Sequence, residues 1–172
     1  GDHTDDDPSG PSVLEEVTGR RGPLRLARRA LVFVGAAGLE DLGHRLGLFV
    51  GVVPVGGHIE RDELPHEAAL REVKEECGLD VCLYQHDFET KINVDNAKLI
   101  IPPVHTVLVD MNPNHQHIDL IFYATSDSAD FTPSPNEAKD MKWLSAKEIK
   151  KMNTTPDNVK VLALEAIKLL KK

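Results

Sequence analysis

Apolar and polar positions recur with a clear period in only part of the chain. Residues 65–78 read as a helix, because Pro65 suits a first helical turn, where its missing N–H is not needed, and Gly78 suits a left-handed helix end. Ala68, Ala69, Val73 and Leu70 supply apolar positions on it. Residues 104–110 and 118–124 are rich in β-formers and flank the turn-like segment MNPNHQH, which predicts two antiparallel strands. A short strand is predicted over 141–144. Ser145 and Glu148 then form a capping-box pair that opens a short helix ending near Met152. A last helix over 156–170 puts Val159, Leu162, Ala163, Ala166, Leu169 and Leu170 on one stripe. Toward the N-terminus, residues 30–34 and 49–53 are candidate strands, and the glycines and acids between them fit a hairpin only loosely.

The helix over 65–78 carries the candidate chemistry. Glu72, Glu75 and Glu76 are spaced i, i+3, i+4, so their carboxylates share one face. Like charges at that spacing oppose helix formation unless neutralised, and a hard cation such as Mg2+ or Mn2+ does this with oxygen ligands alone. Arg71, four residues before Glu75, can hold a carboxylate in one orientation with its guanidinium fork. On the three glutamates alone, a solvated acidic face is the commoner outcome.

The wider spacing changes that balance. Gly57, five residues, Glu63, seven residues, Arg71-Glu72-Val73, one residue, Glu75-Glu76, one residue, Gly78 and the aliphatic Leu79 together resemble the Nudix box at each of its defining positions, a far more specific match than a short glycine motif. The resemblance implies a Nudix hydrolase of α/β (α+β) class, with a mixed β-sheet sandwiched between α-helices. Such an enzyme cleaves the diphosphate linkage of a nucleoside diphosphate derivative. Carried over by position, Glu75 and Glu76 are implied metal ligands, with the Gly57 carbonyl a further ligand in some members. Glu72 is implied as a ligand or as the base that activates water, Arg71 as its orienting partner, and Glu63 as support for the loop or a second metal. Bound Mg2+ or Mn2+ makes chemical sense, since hydrolysis of a diphosphate needs its charge neutralised, the water activated and the leaving phosphate stabilised.

Outside the box, Glu137 lies in a polar loop of the kind in which Nudix proteins often carry one more metal-binding or water-activating acid; a solvated loop glutamate is the alternative. His58, after the glycine pair, is a candidate phosphate contact or a turn-packing residue. His115 and His117 flank Gln116 at the end of the turn, which makes them candidates for substrate or metal contact, against the commoner fate of exposed loop histidines. Trp143 and Phe122 could stack on a base, but aromatic residues on strands more often fill a core.

Composition narrows the classes further. With 172 residues and 41% hydrophobic content, the chain suits one domain with its own core. A formal charge of −8 argues against a general nucleic-acid binder; metal at the acidic cluster would still make the site locally positive for a small nucleotide substrate. Two cysteines are too few for a disulfide framework, which fits a reducing cytoplasm. The most apolar run, residues 46–55, is about half of the roughly 20 residues needed to span a bilayer. The aspartate-rich opening does not resemble a signal peptide.

One discontinuity stands out. All eight arginines precede Lys74, and all twelve lysines lie at or after it. Residues 1–23 read as a disordered tail, and residues 24–172 as a single domain. The arginine-to-lysine switch raises the expectation that part of residues 24–50 is out-of-frame, fused or otherwise introduced. A homodimer fits the family resemblance. Two further function classes stand beside hydrolysis: a non-catalytic nucleotide sensor, against which the intact Glu72, Glu75 and Glu76 argue, and an isoprenyl diphosphate isomerase.

Overall fold

A computed structural model describes residues 54–86, 92–132, 134–135 and 141–170, together with the backbone of 25–36 and 45–47. The candidate strand at 49–53, Glu137 and the tail 1–23 lie outside the described residues. The strands are β1 (Arg25–Ala36), β2 (Arg45–Gly47), β3 (Val55–His58), β4 (Cys82–Leu83), β5 (Asn93–Val94), β6 (Ala97–Lys98), β7 (His105–Asn112), β8 (His115–Ser126) and β9 (Trp143–Ser145). The helices are α1 (Pro65–Cys77), α2 (Ala146–Lys151) and α3 (Asp157–Leu169).

At the centre of the main sheet β1 runs parallel to β8 in unbroken register from Arg25↔His115 to Ala36↔Ser126. Antiparallel strands flank this pair: β7 and β4 lie along β8, while β3 and β2 lie along β1, and β9 joins β2. β5 and β6 form a separate hairpin. The sheet is therefore mixed, as the family resemblance implies.

Helices cover both faces, which explains why β8 changes from alternating burial to a nearly continuous buried run after Leu120. On one face Val55, Phe122 and Ala124 pack against Ala68, Ala69, Val73 and Cys77 of α1. On the other, Ile121 and Tyr123 pack against Ile149 of α2 and Val159, Ala163, Ala166 and Ile167 of α3. Fully burying a side chain such as Phe122 or Ile121 contributes about 1.5–3 kcal/mol, so β8, with three large side chains buried in succession at 121–123, is the strand around which the core is built. Trp143 joins the α1 side of the core and stacks on Phe131 at 5.3 Å.

The α3 face also holds a polar cluster. Tyr123 Oη donates to Glu165 Oε2 at 2.9 Å, and His105 Nε2 lies 2.6 Å from the same oxygen. Burial pushes the Glu165 carboxyl up, but the bonds from His105 and Tyr123 outweigh it and hold it below the ordinary glutamate value. No helix among the described residues is long and apolar enough to cross a membrane.

Candidate active site

The site assembles where β3 enters α1. Pro65 occupies the first helical turn, as its fixed φ favours. The preceding Leu64 has no side-chain acceptor, but its N–H donates to Glu67 Oε2 at 3.0 Å, so one end of the helix is capped from within. Residues 60–63 make the turn into it: Asp62 takes φ 69, Glu60 N–H donates to Glu63 Oε2 at 3.0 Å, and the chain folds Glu63 back toward the helix. At the far end Gly78 adopts φ 72 and its N–H donates to Lys74 O at 2.9 Å.

Arg71 is the hub. Its Nε and Nη2 donate to the two oxygens of Glu63 at 2.8 and 3.0 Å. Nη1 reaches Glu72 Oε1 at 2.8 Å and Glu75 Oε2 at 3.2 Å, and Nη2 also meets the His58 carbonyl at 3.2 Å. The Glu63 bond, ahead of an opposing burial effect and the Glu72 bond, raises the guanidinium's proton affinity further. In turn Arg71 holds the Glu63 carboxyl below its ordinary value. One guanidinium thus serves three carboxylates, so the cluster keeps a net negative charge even before half-buried Glu76 is included.

Gly57 sits directly under Glu72, and a Cβ at position 57 would collide with the Glu72 carboxylate. The glycine of the box is therefore a packing requirement: only a bare backbone leaves that carboxylate its place. Glu72 is mostly buried, whereas Glu75 is half exposed at 52%. Among the described residues no three acidic, imidazole or thiol groups are arranged to hold a metal ion as they stand. The donor set is nonetheless the oxygen-only kind that suits a hard divalent cation.

A loop anchors the C-terminal turn of α1. Thr132 N–H donates to Cys77 O at 2.8 Å and Ser134 N–H to Glu75 O at 3.0 Å. These bonds satisfy carbonyls that a helix end leaves unpaired. Nothing in the sequence marks Thr132 and Ser134 for this role, because the bonds use their backbone N–H groups. They also fix the chain three residues before Glu137 against the acidic helix.

The histidines fall elsewhere than their sequence context implies. His115 and His117 lie on β8, since the turn is confined to 113–114, and His117 is only 7% exposed. Their Nε2 atoms are 2.7 Å apart, and the His58 ring meets His117 edge-on with centroids 6.1 Å apart. The spacing of His115 and His117 at i, i+2 is the strand signal that would have placed them together. Trp143 and Phe122 are core residues, as their strand positions imply.

Comparison with known proteins identifies the family. The profile of the NUDIX domain matches residues 17–164. A NUDIX-family hydrolase from Clostridium perfringens is 36% identical, with 86% of this chain and 99% of that one covered and a TM-score of 0.70. The fold is shared at lower identity by a MutT protein from Methanosarcina mazei Go1, which is 16% identical with coverage of 88% and 100% and a TM-score of 0.58. It is likewise shared by a possible asymmetric diadenosine tetraphosphate hydrolase from Jonesia denitrificans, 15% identical with coverage of 86% and 98% and a TM-score of 0.59. No curated protein gives a significant match. The chain belongs to the Nudix hydrolase family. It is a hydrolase of the class that acts on nucleoside diphosphate derivatives.

Proposed function

We propose that this chain hydrolyses a diphosphate linkage in a nucleoside triphosphate or similar small nucleotide, with Mg2+ or Mn2+, by attack of water at phosphorus. The observation that carries the reading is Arg71 holding Glu63, Glu72 and Glu75 around the bare backbone of Gly57. Glu72, Glu75, Glu76 and the Gly57 carbonyl are the groups to hold the cation, with Glu63 beside them. The cation supplies neutralisation of the diphosphate charge and polarisation of the phosphorus–oxygen bonds.

The protein's own groups do the rest. Glu72, fixed by Arg71, serves as a cation ligand or as the acceptor of the attacking water's proton. Glu63 fixes Arg71 in turn, through a bidentate pair that a lysine could not reproduce. Glu75, with the longer 3.2 Å contact to Arg71, would be the more available of the two carboxylates to hold a cation, while the 2.8 Å bond from Arg71 keeps Glu72 aligned. His58 and His117 are the substrate contacts in this reading. Cys77 and Cys82 are both free thiols, which accords with action in the cytoplasm. A homodimer is part of the same reading.

The test is turnover of a nucleotide panel with Mg2+ or Mn2+, followed by chromatography, beside a Glu76→Gln variant. Turnover that disappears in the variant is expected. Turnover unchanged in Glu76→Gln would overturn the assignment, and a folded protein that binds nucleotide without converting it would be a sensor instead.

A further inference from the structure

Resting on the box as the place of diphosphate cleavage, we propose that His58, His115 and His117 form an anion-binding half of the same site. It takes a phosphate beyond the scissile linkage and so selects polyphosphate-bearing nucleotides over nucleotide sugars.

The inference starts from strand geometry. Successive residues of β3 face opposite sides of the sheet. Gly57 faces Glu72 and α1, so His58 belongs to the other face, where its ring meets His117. His117 is in step with Ile121 and Tyr123, which pack toward α3, so the two histidines share that face. His115, two residues before His117, completes the group through the 2.7 Å nitrogen–nitrogen bond, and this bond leaves His115 a second ring nitrogen for a ligand.

The carboxylates of the box and the imidazoles therefore stand on opposite sides of one strand, with buried Asp119 in step with His117 on the imidazole side. Among the described residues β3 pairs only with β1, and residues 56 and 57 carry no side chains. In this proposal the phosphate chain crosses the edge of β3 beside backbone alone at positions 56 and 57. The two sides are also mechanically joined, because Arg71 binds the His58 carbonyl.

Imidazole N–H groups donate well to phosphate oxygens, and charge-assisted bonds of this kind gain strength in a partly buried setting. A neutral sugar at the same place would gain no such bond.

The experiment measures binding of inorganic tripolyphosphate and inorganic pyrophosphate, each with Mg2+, by calorimetry. Wild type, His58→Gln and His115→Gln are compared, and the imidazole 15N resonances of the wild type are followed in parallel. Wild type is expected to bind tripolyphosphate about tenfold more tightly than pyrophosphate, the effect of about one charge-assisted hydrogen bond, with most of that preference lost in each variant. The three imidazoles should shift with tripolyphosphate and not with pyrophosphate. Equal or undetectable affinities in wild type, a preference retained in both variants, or unshifted imidazoles would overturn the subsite. The Glu76→Gln variant keeps the two readings separate: its loss of nucleoside triphosphate turnover upholds the box whatever the histidines do, and its retention removes the box reading itself.

Discussion

Replacing Gly57 with alanine probes the site at its tightest point. A Cβ there would lie 2.5 Å from the Glu72 carboxyl carbon, against a favourable carbon–carbon separation of about 3.5–4.0 Å. Gly57 is not among the residues with positive φ, so alanine meets no backbone penalty and the effect isolates the contact. The carboxylate must give way by about 1 Å, and it is held by Arg71 Nη1 at 2.8 Å. Losing that partly screened, charge-assisted bond costs about 1–2 kcal/mol, which corresponds to a fall in Tm of about 3–6 °C for a domain of this size. If Glu72 has its proposed role, activity should suffer more than stability, because misplacing a reacting group by about 1 Å lowers kcat about a hundredfold. Thermal melts of Gly57→Ala, Glu72→Ala and the double variant, with kcat for a nucleoside triphosphate, make the assay. The alanine penalty on Tm should vanish once the Glu72 carboxylate is gone. A penalty that persists undiminished in the Glu72→Ala background, or a wild-type kcat in Gly57→Ala, would refute the contact reasoning.

Two further outcomes follow from the charge environments. Burial, aided by the nearby Glu76 charge, pushes the Cys77 thiol up to about 12. The neutral thiol is thereby favoured in the fold, a contribution present below the ordinary thiol value and lost as pH rises toward 12; a maleimide at pH 7 should label exposed Cys82 and spare Cys77 until the chain is denatured, as intact mass would show. Glu165, held below the ordinary value by His105 and Tyr123, contributes stability above the unfolded glutamate value and loses it as pH falls through its lower folded value. The Tm difference between wild type and Glu165→Gln should therefore shrink on acidification, and a difference that stays constant to pH 3 would count against the cluster.

Local signals in the sequence were reliable where a short-range rule sets the structure. Pro65 and Gly78 bound α1 as their backbone preferences require, Ser145 accepts from Glu148 N–H at the start of α2, and the stripe from Val159 becomes α3. The acidic face and Arg71 were legible for the same reason, since all lie within one helix and its approach. What stayed hidden depends on strand partners distant in sequence. The run read as a strand over 30–34 extends to Arg25–Ala36 because it follows β8 through its whole length, and a parallel partner some ninety positions away leaves no local trace. The bond between His115 and His117 required knowing that the strand begins at His115. β4, β5 and β6 have two residues each, too few to establish a period.

The parallel union of β1 and β8 also dictates the order in which this protein can be built. Pairing Arg25 with His115 closes a long loop, and such non-local closure slows folding. During synthesis α1 emerges early with all its carboxylates. The glycine strand that must lie beneath Glu72 docks on β1, however, and β1 lacks its central neighbour until residue 126 has left the ribosome. The acidic helix therefore waits for about fifty more residues before its surroundings are complete, so the geometry around Arg71 is a late event in the life of the nascent chain.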